Sequence, residues 1–354
     1  MSTQKTLKTS FELSGKGLHT GLEIKIRFSP AAINQGIKIR RTDLVNKPEI
    51  PALADYVMDT NRGTVLKRGE AQISTIEHAM AALYALEIDN CLIEVDAPEF
   101  PILDGSSKYF FEGIKNAGIE EQNAEKDIYI VKKKIEYTQP ETGAKIVILP
   151  DDKFSVDVHI DYKSPVLSNQ FASLDSLADF GEEISDARTF VFVREIEQLI
   201  NQNLIKGGDL KNAIVIYDKP MEQESFDRLS DLMQQPHLEV GDLGIISGPL
   251  KFNNEPARHK LLDVIGDLAL VGKQIQGKVI ATYPGHKVNT ELAKQIRKDI
   301  KKQEVQAPVY DDTKPPVFDS IAIRKMLPHR WPFMMVDKTT KKGSGHALYS
   351  PVQI

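Results

Sequence analysis

The chain has 354 residues, 41% of them hydrophobic and 27% charged, a soluble composition long enough for two or three domains with real cores. Its 45 basic residues against 50 acidic ones give a formal charge of −5, which argues against a dedicated nucleic-acid binder, whose footprint is basic. A single cysteine excludes an internal disulfide framework and any cysteine-rich zinc finger, so a bound metal has to be held by histidines and carboxylates.

The opening MSTQKTLKTSFEL lacks the apolar core of a signal peptide, and no stretch approaches the roughly 20 apolar residues that cross a bilayer. The expected location is cytoplasmic. Between Thr6 and Phe28, apolar and polar residues alternate on either side of SGKGLHTG, which predicts a hairpin. STIEHAMAALYAL, from Ser74 to Leu86, predicts a helix, with Ser74 as N-cap and Glu77 completing a capping box. Cys91 to Asp96 reads as a short buried strand and Ser107 to Ala117 as a second helix stopped by Gly118. A first domain, residues 1–120, closes there.

Strands resume in IYIVKKKIEYT, KIVILP and FSVDVHIDY, followed by helical stretches around 192–201 and 258–273, the strand KVIATYP and a last helix from Asn289 to Lys302. This second domain, residues 127–303, repeats the order of the first: strands, helix, strand, helix. Mixed strands with helices gathered on one face predict an α+β, two-layer arrangement in each half. Three prolines and three aspartates in APVYDDTKPPVFD mark residues 304–316 as a linker. Residues 317–354 then form a fragment too short to bury its own apolar side chains.

Chemistry concentrates in two helices. In the stretch from Arg258, His259, Asp263 and Asp267 recur every four residues; four residues turn a helix by about 400°, so they form one slowly drifting stripe. A His-x-x-x-Asp pair presents an imidazole and a carboxylate to one ion, or else it is the solvated face of an amphipathic helix. Glu77 and His78 lie in a helix that is apolar or small almost all round, so it is buried and His78 needs an internal partner. Either a metal or a backbone carbonyl supplies one. Two histidines and one carboxylate would leave the fourth tetrahedral position of zinc to water, with Glu77 beside it as a base.

Other residues are weaker signals: His286 in the YPGHK loop, Thr189, Lys260, and His19 in GLHTG. Gly207 and Gly208 read as a phosphate nest or a plain turn. Lys294, Arg297, Lys298 and Lys301 read as a solvated stripe, and Cys91 as core.

Taken together, SGKGLHTG, STIEHAMAAL, IDNCLIEVDAPEFPILDGSS, DARTF, NEPARHKLLDVIGDLAL and the Gly285-His286 pair resemble, in order, the zinc-dependent UDP-3-O-acyl-N-acetylglucosamine deacetylases of lipid A biosynthesis. The resemblance runs from about Lys5 to Lys302. It implies two domains, each a sheet with helices on one face, packed helix layer to helix layer with the active site between them. By motif position it implies His78, His259 and Asp263 as ligands of Zn2+ and Glu77 as general base. His286 matches the general acid or cationic stabiliser, Asp267 the carboxylate that orients it, and Thr189 the hydroxyl that helps hold the oxyanion. Phe190 and Lys260 match substrate-contacting positions, and residues 192–216 match the insert that makes an apolar passage for the acyl chain. The implied partner is a UDP-sugar carrying an acyl chain, with no nucleic acid, no transmembrane segment and at most transient contact with a membrane surface.

LPHRWPFMMVD resembles the opening motif of (3R)-hydroxyacyl-acyl-carrier-protein dehydratases, which suggests a fusion of two enzymes. That family's catalytic His and Glu fall later than this motif, to which His329 belongs. No dehydratase activity is therefore expected of this chain, and residues 317–354 are expected to be a poorly ordered tail whose apolar strand promotes association. Two other readings stand beside the deacetylase: a nucleotide-sugar or acyl-chain binding module, and a bifunctional deacetylase and dehydratase.

Overall fold

In a computed structural model of the protein, the described residues are 2–305 together with Ile321, Lys325, Lys338–Thr339 and Leu348–Tyr349. Met1–Arg297 is one compact unit and Lys298–Ile354 a second. In the second, the described parts include the end of a helix and the antiparallel pair Lys338–Thr339 and Leu348–Tyr349. The rest of the expected linker and dehydratase-like fragment, including His329, lies outside the described residues.

Alternation of apolar and polar residues makes the strands. In Glu23–Pro30, Ile24, Ile26 and Phe28 point inward while their neighbours face solvent, as a period of two requires. Five such strands form the first sheet, in the order Phe11–Lys16, Glu23–Pro30, Cys91–Val95, Ile37–Arg41, Glu49–Pro51. The predicted hairpin is its edge pair, closed by the Gly17 N–H donating to the Leu22 carbonyl. A second sheet runs Ile135–Thr138, Lys145–Leu149, Gln274–Thr282, Phe154–Ile160, Gln170–Leu174, with Ile128–Ile130 also pairing to Gln274–Thr282.

The two strand orders are the same. In each sheet the last strand in sequence sits in the middle, antiparallel to one neighbour and parallel to the other. A parallel neighbour demands a crossover connection. The first crossover carries helix α1 (Glu77–Ala85), and α2 (Lys108–Ala117) follows the central strand. Between the strands of the second sheet come α3 (Phe180–Glu183), α4 (Val193–Asn201), α5 (Gln223–Leu232) and α6 (Glu255–Ala269), and α7 (His286–Val305) follows its central strand. The expected architectural repeat is therefore present as topology, and the α+β class with it.

Helices α1 and α6 meet where α6 has no room for a side chain. A Cβ on Gly266 would stand 2.1 Å from the Glu77 carbonyl oxygen, so glycine at this point lets the two backbones touch. Every residue of α1 and nearly all of α6 are buried, as apolar helices packed on several sides must be.

Several local expectations are corrected. Ser74 does not cap α1: its backbone is bridged in extended form to Pro98 and Phe100, its hydroxyl donates to the Pro98 carbonyl, and the helix begins only at Glu77. Helix α6 starts earlier than predicted, with Pro256 in its first turn, where a missing N–H costs nothing. Helix α7 starts at His286, so that residue opens a helix and does not sit in a loop. The elements around 192–216 belong to a larger subassembly. Strands Phe190–Phe192, Ile214–Tyr217 and Gly244–Ile245 form a small sheet covered by α4 and α5, and α5 was not predicted. Arg297 does more than face solvent, pairing with Asp55 and donating to the Val271 carbonyl. Cys91 is buried core as expected, and burial pushes its thiol up to about 12. Among the described residues no helix is long and apolar enough to cross a membrane.

Candidate active site

The crossing of α1 and α6 brings the singled-out residues together. His78 comes from the first turn of α1, while His259 and Asp263 lie one turn apart on α6. One ligand atom from each lies within 4.8 Å of the others, and all three side chains are buried. The two imidazoles meet edge to face at 5.1 Å between centroids. His259 Nδ1 is engaged with the Ala187 carbonyl at 3.0 Å, leaving Nε2 on the side of Asp263, 3.5 Å from Oδ1. That outer hydrogen bond fixes the tautomer, as it does for metal-ligating histidines generally.

Asp263 Oδ1 is buried and, among the described residues, has no hydrogen-bond partner, an expensive state for a carboxylate oxygen. Oδ2 accepts from Lys260 Nζ at 2.7 Å. Burial opposes the charge on Asp263, but the ammonium of Lys260, with the charged His286 beyond it, holds its carboxyl below the usual range. Burial pushes His78 down to about 3 and lowers His259 as well. Two neutral imidazoles and an ionised, under-bonded carboxylate are the protonation states that a divalent cation requires. The donor set fits a divalent metal ion.

Glu77 is buried next to His78, with its Oε2 accepting from the Thr64 backbone N–H at 3.1 Å. Burial pushes its carboxyl up to about 7, against the pull of His286. His286 is raised as well, but for an imidazole that favours the charged form. Burial opposes its charge, but Asp267 and Asp263 raise it to about 9, and Nδ1 sits 2.9 Å from Asp267 Oδ2. The same Oδ2 accepts from Asn289 Nδ2 at 2.9 Å, and Oδ1 accepts from the Thr64 hydroxyl at 2.5 Å. In one pocket, burial thus disfavours the charge on Glu77 while the neighbouring carboxylates favour the charge on His286, which is how acid and base roles are separated.

Phe190 and Lys260 adjoin the cluster, the Phe190 ring 6.4 Å from that of His259 and the Lys260 ammonium 5.5 Å from the Phe190 centroid. Thr189 is fixed by its backbone, its N–H donating to Gly105 and its carbonyl accepting from Ile214. Thr189 and Phe190 line the wall of an apolar cavity of about 140 Å³, together with Leu18, Ile196, Phe226 and Leu229. His19 also borders it, held between the Arg62 carbonyl and the Ile205 N–H. The N–H groups of Gly207 and Gly208 are spent on Leu18 and Ile205, so this glycine pair is a turn and not a phosphate nest.

Sequence reading missed two buried residues of the site. Asn289 lies three residues after His286, one helical turn on, and that spacing was the available signal. Thr64 lies in an unremarkable loop with no pattern to mark it.

Residues 4–235 and 235–298 match the family described as LpxC, UDP-3-O-acyl N-acetylglycosamine deacetylase. The chain belongs to this deacetylase family. Among its relatives, the bifunctional enzyme LpxC/FabZ of Porphyromonas gingivalis is 58% identical over 349 residues, 98% of this chain and 76% of that protein. The UDP-3-O-acyl-N-acetylglucosamine deacetylase of Myxococcus xanthus is 37% identical over 297 residues, 84% of this chain and 87% of its own. That of Vibrio vulnificus is 39% identical over 303 residues, 84% and 91% respectively. The deacetylase family match stops at residue 298, whereas the match to the bifunctional relative takes in nearly the whole chain.

Proposed function

We propose that the protein hydrolyses the N-acetyl group of UDP-3-O-acyl-N-acetylglucosamine in the cytoplasm, releasing acetate and the free 2-amino sugar nucleotide. The observation that carries this reading is the convergence, on one crossing of two helices, of a His-His-Asp donor set with a carboxylate on one side and an imidazole-carboxylate pair nearby. His78, His259 and Asp263 would hold zinc, which supplies Lewis acidity, polarising the acetyl carbonyl and easing deprotonation of the attacking water.

Glu77, ionised, takes the proton from that water as it attacks, and its burial keeps it basic enough to do so. His286, protonated through its contact with Asp267, gives the proton to the departing amine. Its charge and the Thr189 hydroxyl both favour negative charge developing on the acetyl oxygen. Lys260 offers a point cation to the sugar nucleotide, shared with Asp263, and Phe190 offers an apolar wall. The cavity between α4, α5 and the small sheet suits an acyl chain, being apolar, narrow and continuous with Thr189 and Phe190. In this reading residues 1–120 and 127–303 are two lobes that share one site.

The test is direct: acetate release from the acylated UDP-sugar, with and without a chelator. Release that stops on chelation and returns with zinc supports the assignment. Binding of the nucleotide sugar with no acetate formed would instead identify a binding module.

A further inference from the structure

Loop residues 60–64 reach the site from outside both helices. Arg62 pairs with Glu195 of α4 at 2.7 Å, and its carbonyl is engaged by His19. On the other side, Val65–Arg68 is the middle strand of a small antiparallel sheet, between Val57–Asp59 and Ala71–Ile73. Thr64 is anchored between these two restraints and is fully buried. A Cβ on the preceding Gly63 would already lie 3.3 Å from Glu77 Oε1, so the loop passes hard against that carboxylate.

The backbone N–H and the hydroxyl of Thr64 are both used, and with fixed polarity. Its backbone N–H donates to Glu77 Oε2, and its hydroxyl donates to Asp267 Oδ1, because an ionised carboxylate only accepts. Asp267 thereby receives donors on both oxygens: Thr64 on Oδ1, His286 and Asn289 on Oδ2.

We propose that Thr64 is a positioning residue that holds the proton acceptor and the proton donor of the deacetylase in one register, its amide setting Glu77 and its hydroxyl setting Asp267, and through Asp267 the imidazole of His286. The proposal rests on the functional reading above and adds to it a single residue that touches both ends of the proton path. The charged groups that face His286 are Asp267 and Asp263 from α6 and Glu77 from α1, and the titratable imidazoles of His259 and His78, both neutral, face it from the same two helices. Removing one donor from Asp267 concentrates its charge toward His286 and frees the carboxylate to rotate.

Thr64→Val is the test, because it keeps volume and the amide N–H while deleting the hydroxyl. Loss of a hydrogen bond to a charged group should lower kcat about 10- to 100-fold, with KM and metal content unchanged. The basic limb of the pH profile should move to higher pH, since the imidazole then holds its proton more tightly. Thr64→Ser, which retains the hydroxyl, should recover activity to within about threefold. Asn289→Leu removes a different donor from the same carboxylate and should move the same limb in the same direction.

In the metal-free protein, the Nδ1–H resonance of His286 should shift in Thr64→Val and return in Thr64→Ser; this signal reports the geometry without any reaction. Should Thr64→Val not fold, Thr64→Ala replaces it with the same expected outcomes. A kcat, limb and resonance all left at wild-type values would overturn the proposal, and so would a loss confined to KM or metal content. If the wild-type protein released no acetate, the functional reading would fall, and the resonance would still decide whether Thr64 orients His286.

Discussion

Replacing Gly266 by alanine tests the helix crossing on which the site depends. A methyl group there would lie 2.1 Å from the Glu77 carbonyl oxygen, where ordinary contact begins near 3.4 Å, and both the carbonyl carbon and Cα of Glu77 are also within 3.0 Å. All three are backbone atoms, so no side-chain rotation relieves the clash and α1 and α6 must part by more than 1 Å. His259 and Asp263 move with α6 and His78 with α1, whereas a bound zinc needs each donor at about 2.0 to 2.3 Å.

In an unconstrained helix interior, glycine to alanine stabilises by about 1 kcal/mol. Here overpacking should reverse the sign and cost roughly 1 to 3 kcal/mol, a fall in Tm of several degrees for a protein of this size. A misplacement of this order should also cost at least about 10²-fold in kcat/KM. Calorimetry, metal analysis and acetate release read the three effects. A Gly266→Ala protein as stable as wild type, with full metal content and unchanged kcat/KM, would refute the claim that this contact sets the site.

Glu77→Gln should retain metal yet lose on the order of 10² to 10⁴ in kcat; equal turnover would remove Glu77 from the proton path. His259→Ala leaves Asp263 and His78 without their shared partner and should abolish stoichiometric metal, as measured by elemental analysis of the purified protein. Because the folded protein raises His286 to about 9, its ion pair with Asp267 contributes stability that is complete below about pH 6.5 and fades as pH rises through 9. Denaturant unfolding between pH 6 and 10 should show that loss, and His286→Gln should flatten it. Replacing Ile196, on the wall of the apolar cavity, with Trp should raise KM most for long acyl chains and least for short ones, read by steady-state kinetics across a chain-length series.

How far the sequence could be read depended on how local the determinants were. Helices α1 and α2 and the strand Cys91–Val95 were legible because their periodicity, Gly118 and the buried β run are local signals. The His259, Asp263, Asp267 stripe was legible as spacing on α6, and its partnership with His78 through family resemblance. Ser74 misled because its bridge to Pro98 and Phe100, distant in sequence, outcompeted a textually perfect capping box. Helix α5 does place Phe226, Leu229 and the following Met233 at helical spacing, but the stripe is sparse within a polar stretch and is completed only by α4 and the small sheet. Thr64 carries no local mark at all; its role exists only once Glu77 and Asp267 are brought to either side of it.

The matching strand orders of the two sheets have a consequence for how this protein could be taken apart. Helices α1 and α6 are equivalent crossovers in two copies of one topology, yet they bear unlike cargo: one donates Glu77 and a lone imidazole, the other a histidine and two aspartates. Severed halves would therefore each lack part of the site, because the donor set of His78, His259 and Asp263 is divided between them.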